Sequence, residues 1–392
     1  MNTETLDFIR KHLLDDVQQL ALYASRFPNI DMTFALRQIE GRQKAKNKIP
    51  IFVANENILY PAKLSIEQSS SELTAVYKST LCQGECFVDL TGGFGIDCYF
   101  ISKNFTQTTY IERNNELCEI ARHNFKALDI ENVSVFNLQS EEFLNAMQPV
   151  DFIFIDPARR NDVGNKVISL SDCEPNVAEL STLLLAKGNN VMIKLSPMLD
   201  ITKAIQDLPA TKHVHIISVD NECKEILLLM NAEPKQQLTI TTINIFKNNT
   251  NQVFNFDQHE ETAANAEYTS NLLQYLYEPN SSVMKSGAFK LIAQRFDLKK
   301  LEKNTHLYTS NEYSVDFPGR IFQIESISGS SKPEIKQLKT KVTKANIAVR
   351  NYPLTVAEFR KKTGISEGGD HYIFACKLVN KKNAIIICKK VS

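Results

Sequence analysis

A glycine turn between two strand-like runs constrains the fold of this chain more than any other feature. An apolar run, Cys86–Leu90, leads into the turn Thr91–Gly95; apolar residues then recur at helical spacing over Ile96–Ile101, before a second strand-like run, Thr108–Ile111. Glycines let backbone amides approach a ligand closely, and the N-terminus of a helix favours negative charge. Glu112 follows the glycines by about 20 residues, where an acid meets the hydroxyls of a nucleotide ribose. The stretch therefore predicts a strand–turn–helix–strand unit that binds a nucleotide-type cofactor.

The order of residues in the turn separates two classes of cofactor. A dinucleotide-binding fingerprint has the spacing G-x-G-x-x-G, whereas this turn reads G-G-x-G and has Asp89 in the strand before it. The pattern resembles the first motif of the class I S-adenosylmethionine-dependent methyltransferases. That resemblance implies that Asp89 holds the methionine end of the cofactor, directly or through water, that the glycines pass beneath the cofactor and that Glu112 binds the ribose diol. A glycine turn in an ordinary strand–helix–strand unit is the alternative. The residues assigned in this way to S-adenosyl-L-methionine are Asp89, Thr91, Gly92, Gly93, Gly95, Glu112, Arg113, Gln139 and Ser140.

The last two of these residues stand at the end of a third strand-like run, within Asn132–Leu144. Methyltransferases of this family usually have an acid there that holds the adenine amine of the cofactor. This chain has Gln139 and Ser140 instead, and either side chain can hydrogen-bond an adenine edge. A helix cap formed by Ser140 is the alternative.

A second strand-end motif follows the apolar run at residues 150–156. The run ends in Asp156-Pro157-Ala158-Arg159-Arg160, and ligand sites of doubly wound sheets lie at the carboxyl ends of strands. The motif resembles the D-P-P-[YF] motif of methyltransferases that modify exocyclic amines and other nucleobase positions, with Ala158 in place of the second proline and Arg159 in place of the aromatic residue. A guanidinium can stack on a base or pair with a phosphate. A solvated strand-end turn is the alternative.

The resemblance gives this motif and its neighbours roles in the reaction. We expect Asp156, Pro157 and Arg159 to be catalytic and the loop Asn165–Pro175 to contact the substrate. No cysteine stands at the end of the strand predicted within residues 191–197, where methylation of a pyrimidine carbon needs a nucleophile, so a nitrogen or oxygen acceptor is the better prediction. The residues expected to bind the substrate are Arg160, Lys194 and Ser196.

The remaining apolar runs predict the fold class. Val214–Val219 and Glu225–Met230 are joined by a short polar turn, and a hairpin at the end of an otherwise parallel sheet distinguishes class I methyltransferases. We therefore expect an α/β fold: a Rossmann-like class I methyltransferase sheet, mostly parallel with an antiparallel terminal hairpin, preceded by N-terminal helices and followed by small α+β domains. In the N-terminal region, residues 1–30 predict one amphipathic helix, Ile51–Leu59 predicts a strand, and Ser65–Leu81 predicts a helix with Ser70 exposed.

The C-terminal part of the chain resembles the THUMP-like module attached to some bacterial methyltransferases. THUMP domains bind structured RNA and present it to a modifying domain. The predicted order is strand, helix, strand, helix and two strands, at Arg320–Ile327, Lys332–Lys341, Ala345–Val349, Thr355–Lys362, Tyr372–Leu378 and Asn383–Lys389. The predicted domains are an N-terminal helical region at 1–80, a methyltransferase core at 81–235, an antiparallel extension with a small α+β (ferredoxin-like) unit at 236–318, and a THUMP-like domain at 319–392.

The formal net charge of zero conceals an asymmetry along the chain. From Asn280 to Ser392 there are 21 Lys and Arg residues against 9 Asp and Glu residues, whereas Met1–Pro279 has 24 against 36. A basic module on an acidic body is the electrostatic pattern expected for a phosphate-bearing partner, although the module could also dock on the acidic body itself. The predicted RNA contacts are Lys336, Lys339, Lys341, Lys344, Arg350, Arg360, Lys361 and Lys362.

Composition narrows the remaining function classes. The eight cysteines form no C-x-x-C pair, which argues against a zinc or disulfide framework, and no motif requires a metal. No run of eighteen apolar residues and no charged-then-apolar leader occurs, so we expect a cytoplasmic protein that does not enter a membrane.

The predicted function is S-adenosylmethionine-dependent methyl transfer to a nucleic-acid acceptor, a base nitrogen in structured RNA (rRNA or tRNA). The alternatives are a catalytically inactive RNA-binding protein with this fold, or a methyltransferase acting on a protein or a small molecule.

Overall fold

A computed structural model describes residues 2–159, 170–233, 237–248 and 250–391. Arg160 and residues 165–169 of the predicted substrate loop lie outside the described residues. The chain divides into two compact units, Met1–Lys212 with Ile226–Gln236, and His213–Glu225 with Gln237–Ser392. No helix formed by the described residues combines the length and the apolar character needed to cross a membrane.

Helices alternate with strands through much of both units, and each kind of element is numbered in chain order. The helices are α1 (Thr3–Lys11), α2 (Val17–Leu22), α3 (Met32–Ala45), α4 (Pro50–Ala54), α5 (Lys63–Gln68), α6 (Glu72–Ser79), α7 (Ile96–Ile101), α8 (Asn115–Ala127), α9 (Ser140–Ala146), α10 (Val177–Lys187), α11 (Ile201–Asp207), α12 (Gln258–Ala263), α13 (Ser281–Ser286), α14 (Leu291–Arg295), α15 (Lys332–Lys341) and α16 (Val356–Thr363). The strands are β1 (Gly84–Asp89), β2 (Phe105–Ile111), β3 (Val133–Phe136), β4 (Val150–Ile155), β5 (Ala158–Arg159), β6 (Cys173–Glu174), β7 (Gly188–Leu195), β8 (Thr211–Val219), β9 (Glu222–Asn231), β10 (Thr239–Ile245), β11 (Asn251–Asp257), β12 (Tyr275–Pro279), β13 (Lys299–Lys300), β14 (Tyr308–Ser310), β15 (Gly319–Ser328), β16 (Asn346–Arg350), β17 (His371–Lys377) and β18 (Asn383–Lys390).

The first unit is built on a mostly parallel sheet. Its strands lie in the order β9-β7-β4-β1-β2-β3, all parallel except β9, which pairs antiparallel with β7. The carboxyl-terminal halves of β1, β4 and β7 are buried, as expected for interior parallel strands. The predicted fold class is confirmed. From β1 the chain proceeds to β2 and β3 on one side and returns to β4 on the other, so the strand order reverses between β1 and β4. Ligand sites of such sheets lie at this reversal.

The N-terminal helices differ from their predicted pattern in three places. The single helix predicted at Ser65–Leu81 is two helices, α5 and α6, with Ser70 between them. Residues 1–30 form α1 and α2 rather than one helix, because the Asp16 carboxylate accepts hydrogen bonds from the amides of Gln18 and Gln19 and starts a new helix. The predicted strand Ile51–Leu59 is wrong: Pro50 occupies the first turn of α4, a position where its fixed φ and missing N–H favour a helix start.

The second unit contains two sets of paired strands. β10 pairs parallel with β8 and antiparallel with β11. The other set is a seven-stranded sheet in the order β13-β14-β12-β15-β18-β17-β16. One apolar cluster on this sheet includes Phe322, Phe374 and Ile386, and another joins Leu338 of α15 and Phe359 of α16 to the sheet. The helices and strands of residues 319–391 lie within about two residues of their predicted bounds.

A buried carboxylate connects three strands of the seven-stranded sheet. Glu278 of β12 is almost fully buried; its Oε2 accepts a hydrogen bond from Nε of Arg320 on β15 at 2.9 Å, and its Oε1 accepts one from Nη2 of Arg350 on β16 at 2.7 Å. Three strands separate β12 from β16 in the sheet, so a contact between these side chains requires the sheet to curl. Both arginines remain about one third exposed.

We predict that Glu278→Gln destabilises the second unit. The substitution removes the negative charge that two guanidiniums share, and the expected loss in free energy of unfolding is about 1–3 kcal/mol, below that for a fully buried pair because both arginines reach solvent. Urea unfolding followed by circular dichroism measures the loss.

The matched control is Glu325→Gln. Glu325 pairs with His371 and Lys389 in the same sheet but is itself one third exposed, so its loss is expected to cost less than about 1 kcal/mol. Equal destabilisation by the two variants would contradict a special role for Glu278.

Candidate active site

The glycine turn after β1 lies against the end of β2. The amide of Gly92 donates to the carbonyl of Ile111 at 2.8 Å, and the Tyr110 hydroxyl donates to the carbonyl of Gly93 at 2.6 Å. A Cβ atom on Gly92 would lie 2.0 Å from the Tyr110 ring, so no larger residue fits without moving the ring. The amide of Gly93 donates to Oε2 of Glu112 at 2.9 Å. These contacts place the turn and Glu112 at the same strand ends.

The N-terminal region packs on the other side of the turn. The ring of Phe94 lies 5.5 Å from that of Phe52 in α4 and 6.1 Å from that of Tyr60. Phe52 also packs edge-on against Tyr99 of α7, at 5.4 Å. Gly95, with φ of +83°, ends the turn and begins α7, in a backbone conformation that favours glycine. Aromatic packing therefore fixes the turn between the N-terminal helices and the sheet.

Asp89 is a buried carboxylate at the end of β1. Its Oδ1 accepts a hydrogen bond from the amide of Thr91 at 3.0 Å, whereas its buried Oδ2 has no hydrogen-bond partner among the described residues. Burial raises the pKa of Asp89 well above its usual range, and the neighbouring carboxylates of Asp97 and Asp156 raise it further. A buried polar atom without a partner is costly, and a ligand that donates a hydrogen bond to Oδ2 would offset that cost.

Glu112 and Arg113 follow β2 but point to different partners. Oε1 of Glu112 accepts a hydrogen bond from the amide of Asn114 at 2.8 Å, so one carboxylate supports both the glycine turn and the start of α8. Nη1 of Arg113 forms an ion pair with Oε1 of Glu174 in β6 at 2.7 Å, and both side chains are about half exposed. The structure thus places Glu112 at the glycine turn and Arg113 at β6.

Gln139 and Ser140 lie at the start of α9, where an adenine contact was predicted. Gln139 is exposed at the cap position and makes no side-chain cap, and Ser140 is the first helical residue. The Ser140 hydroxyl donates to the carbonyl of Leu90 at 2.6 Å, so it connects α9 to the end of β1. The alternative role of Ser140 as a helix cap is not observed.

Asp156 follows β4 and lies next to the glycine turn. Its backbone amide donates to the Thr91 hydroxyl at 2.6 Å. Its carboxylate Oδ2 lies 2.5 Å from Nζ of Lys194, and its side chain is 35% exposed. Burial raises the pKa of Asp156, and the Lys194 ammonium opposes that rise. Pro157 is buried. The backbone of the next two residues forms β5, in which Ala158 pairs with Glu174 and Arg159 with Cys173.

A buried polar network behind Asp156 was not predicted. Nζ of Lys194 lies 3.1 Å from Oγ of Ser70 and 3.4 Å from Oδ2 of Asp97, and Nζ of Lys78 lies 3.1 Å from Oδ1 of Asp97. Ser70, which the sequence pattern placed on an exposed helix face, is buried between α5 and α6. Ser70 is buried because its hydroxyl donates a hydrogen bond to the buried Asp97 carboxylate at 2.7 Å.

Ser196 and its neighbours form the turn after β7. The Ser196 hydroxyl accepts a hydrogen bond from the amide of Met198 at 3.3 Å, and the Met198 side chain is exposed. Among the described residues, no group of three or more His, Cys, Asp or Glu side chains is placed to hold a metal ion.

Comparisons with known proteins were made by family models and by structure. Residues 275–318 match a family model described as a ferredoxin-like domain, and residues 319–390 match one described as THUMP domain-like. A search of curated proteins found no match to this chain. A crystal structure of a "putative methyltransferase" from Porphyromonas gingivalis W83 is similar to this chain with a TM-score of 0.89 and 33% sequence identity, over 99% of this chain and 98% of that one.

Two further solved structures are similar to a smaller part of the chain. One is a "putative methyltransferase" from Streptococcus mutans in complex with SAH, with 13% identity and a TM-score of 0.30, over 41% of this chain and 95% of that one. The other is an rRNA methylase from Streptococcus thermophilus, with 13% identity and a TM-score of 0.31, over 40% and 93% of the two chains. At these values neither structure informs the substrate of this protein.

The similarity to the Porphyromonas gingivalis protein extends over almost the full length of both chains. It includes the sheet that carries the glycine turn and the C-terminal segment matched as THUMP domain-like. Because a third of the aligned residues are identical over that length, this protein belongs to the same family, the class I S-adenosylmethionine-dependent methyltransferases with a C-terminal THUMP-like domain.

Proposed function

We propose that this protein transfers a methyl group from S-adenosyl-L-methionine to a base nitrogen in structured RNA, either rRNA or tRNA. The observation that supports the proposal best is the position of Asp156. It stands at the carboxyl end of β4, its backbone amide donates a hydrogen bond to Thr91 of the glycine turn, and its side chain is 35% exposed. An acceptor bound there would lie beside the cofactor.

The residues at the ends of β1 and β2 fit the cofactor. The turn has no side chain at Gly92 or Gly93. Oδ2 of Asp89, which has no hydrogen-bond partner in the part of the chain that the structure describes, can accept a hydrogen bond from an amino group, and Glu112 can accept hydrogen bonds from a ribose diol. When bound, S-adenosyl-L-methionine supplies an electrophilic methyl group. The protein's contribution is to hold the acceptor in line and to exclude water. Arg113, Gln139 and Ser140 stay predictions for the cofactor site.

The chemistry of Asp156 favours a nitrogen acceptor that carries a hydrogen atom. A carboxylate can accept a hydrogen bond from such an N–H group, which orients the nitrogen lone pair, and it can take the proton that the nitrogen loses on methylation. Lys194 already binds Oδ2, and we propose that Oδ1, on a side chain that is 35% exposed, receives the acceptor. Pro157, Arg159, Arg160 and Ser196 are proposed to contribute to the acceptor side.

The exposed lysines of the THUMP-like segment support a phosphate-bearing partner. Two residues of the predicted RNA-binding set also make contacts within the fold: Arg350 pairs with Glu278, and Arg360 donates to the carbonyls of Ile365 and Ala345. The remaining members are exposed, and they are Lys336, Lys339, Lys341, Lys344, Lys361 and Lys362.

We predict that Glu112→Ala weakens the binding of S-adenosyl-L-methionine by about 1–3 kcal/mol, which corresponds to roughly 5- to 150-fold, because a charged hydrogen-bond acceptor for the ribose is lost. Isothermal titration calorimetry measures the change. Glu119→Gln, a change in an exposed ion pair on α8, is the control and is expected to bind as the wild type does. Unchanged affinity in Glu112→Ala, or tighter binding of NAD by the wild type, would contradict the assignment.

We predict that Asp156→Ala abolishes methyl transfer and leaves cofactor affinity within about twofold, since Asp156 serves the acceptor. The assay uses tritiated cofactor and a mixture of unmodified rRNA and tRNA transcripts, with calorimetry of the cofactor alongside. Asp207→Asn, a change in an ion pair with Lys203 at the end of α11, is the matched control. Parallel loss of both properties in Asp156→Ala would assign the residue to the cofactor or to folding. A wild type that binds the cofactor but labels no RNA would favour a catalytically inactive RNA-binding protein.

We predict that the triple variant Lys336→Gln, Lys341→Gln, Lys344→Gln binds RNA transcripts more weakly and with a shallower salt dependence. Each phosphate contact that is lost lowers the slope of log affinity against log salt concentration by roughly 0.7 for single strands and 0.9 for duplexes. Fluorescence anisotropy with a labelled tRNA transcript measures the slope. The control changes three exposed lysines of the first unit, Lys11, Lys46 and Lys126, to Gln. An equal reduction in the control would leave the THUMP-like segment without a special role.

A further inference from the structure

Two lysines are buried side by side beneath the candidate active site. The side chain of Lys78 is 0% exposed and that of Lys194 is 10% exposed. Lysine is almost never buried to this degree unless it is paired, and breaking a buried ion pair leaves an uncompensated charge. We therefore expect the interactions of these two lysines to offset the free-energy cost of burying their charges.

The ammonium group of Lys194 is directed toward three acceptors of the protein. They are Oδ2 of Asp156 at 2.5 Å, Oγ of Ser70 at 3.1 Å and Oδ2 of Asp97 at 3.4 Å. An ammonium group is a donor only, and each of these three atoms can accept a hydrogen bond from it. Lys194 is thus placed to hold the side chains of Asp156, Ser70 and Asp97 together.

Asp97 connects Lys194 to the second lysine. Its Oδ1 faces Lys78 at 3.1 Å, and its Oδ2 accepts the Ser70 hydroxyl at 2.7 Å. Burial opposes the charge of Asp97, but the two lysines lower its pKa. The Ser70 hydroxyl also lies 3.0 Å from Nζ of Lys78, so it touches both ammonium groups and the carboxylate.

The charges of this network balance when Asp156 is ionised. Two ammonium groups, on Lys78 and Lys194, then face two carboxylates, on Asp97 and Asp156. The charged groups that influence Asp156 are Lys194, Asp97 and Lys78, and Asp89 lies near enough to be influenced by Asp156 in turn. If Asp156 were protonated, these four side chains would carry a net positive charge between them, which is unfavourable where the two lysines are buried.

We propose that Lys194 is a positioning residue for Asp156: it occupies Oδ2 and favours the ionised carboxylate, which is thereby oriented toward the acceptor nitrogen. Lys78, Asp97 and Ser70 hold Lys194 in that position. The proposal rests on the proposed function, in which Asp156 receives the N–H group of the base. Its direct prediction concerns the ionisation of Asp156 and can be tested without RNA.

The test is a comparison of full-length wild type with Lys194→Met. Carboxyl-13C-labelled aspartate is introduced, the Asp156 signal is identified by its loss in Asp156→Asn, and its titration is followed by NMR. Removing a cation this close is expected to raise the pKa of Asp156 by about one unit or more, a tenfold or greater change in its ionisation constant.

The control is Lys187→Met, which removes a lysine whose Nζ donates to the carbonyl of Met147. It is expected to leave the titration of Asp156 unchanged. If Lys194→Met does not fold, Lys194→Gln, which keeps hydrogen-bond donors and removes the charge, replaces it. An unchanged titration of Asp156 in the folded variant would overturn the proposal.

A kinetic experiment separates this role from a purely structural one. With the RNA transcripts as acceptor, Lys194→Met is expected to lower kcat on the acidic limb of its pH profile, which moves to higher pH by the same amount as the NMR titration, with little change in KM. Because a raised pKa delays ionisation of Asp156, activity is expected to recover as the pH rises through the new pKa. A kcat that stays low at every pH would overturn the positioning role. A shifted NMR titration in a protein that methylates no RNA would support the role of Lys194 in ionising Asp156 and would overturn the proposed acceptor instead.

Discussion

The glycine turn is held against the end of β2, and the rest of the candidate site is arranged around that contact. Gly92 approaches the ring of Tyr110 so closely that a Cβ atom would overlap it, and the Tyr110 hydroxyl holds the carbonyl of Gly93. The same strand end carries Glu112, whose carboxylate holds the Gly93 amide. The position of Glu112, the acid proposed to bind the ribose, and the shape of the turn are therefore set by one set of contacts rather than by two independent ones.

Burial of charge is the second constraint on this unit. Lys78, Asp97 and Lys194 come from α6, α7 and β7, and they meet only because the N-terminal helices pack on α7. Asp97 lies two residues after Gly95, so the helix that begins at the turn also carries the carboxylate of the network. A change in how the turn is packed would move Asp97, and Asp97 contacts the lysine that holds Asp156. The proposed cofactor side and the proposed acceptor side of the site thus both depend on α7.

The sequence predicted the parts of the site that are local in the chain. The turn Thr91–Gly95, the acid after β2 and the acid after β4 were found because each stands at the end of an apolar run, and strand ends meet at one edge of a parallel sheet. The network of Ser70, Asp97 and Lys78 has no such pattern, since its members are brought together by tertiary packing alone. The predicted strand at residues 51–59 failed for a related reason: its apolar residues fit either a strand or a short buried helix, and Pro50 decides for the helix. The prediction of RNA contacts from positive charge had the same weakness. A count of arginines and lysines does not distinguish Arg350, which forms an ion pair with Glu278, from the exposed lysines.

The ion pairs of Glu278 determine how the C-terminal module can be studied. The segments matched as ferredoxin-like and THUMP domain-like meet between Pro318 and Gly319, yet β12 of the first pairs with β15 of the second, and Glu278 of the first binds two arginines of the second. The two segments therefore share one sheet and one buried charge cluster, although their family models are separate. Ending the chain at residue 318 would remove β15, which pairs with β12, and both arginines that bind Glu278. If such a fragment did not bind RNA, unfolding would explain the result as well as the loss of RNA-contacting residues. Substitution of exposed lysines leaves the sheet and the cluster in place, so that a change in RNA affinity can be attributed to the surface itself.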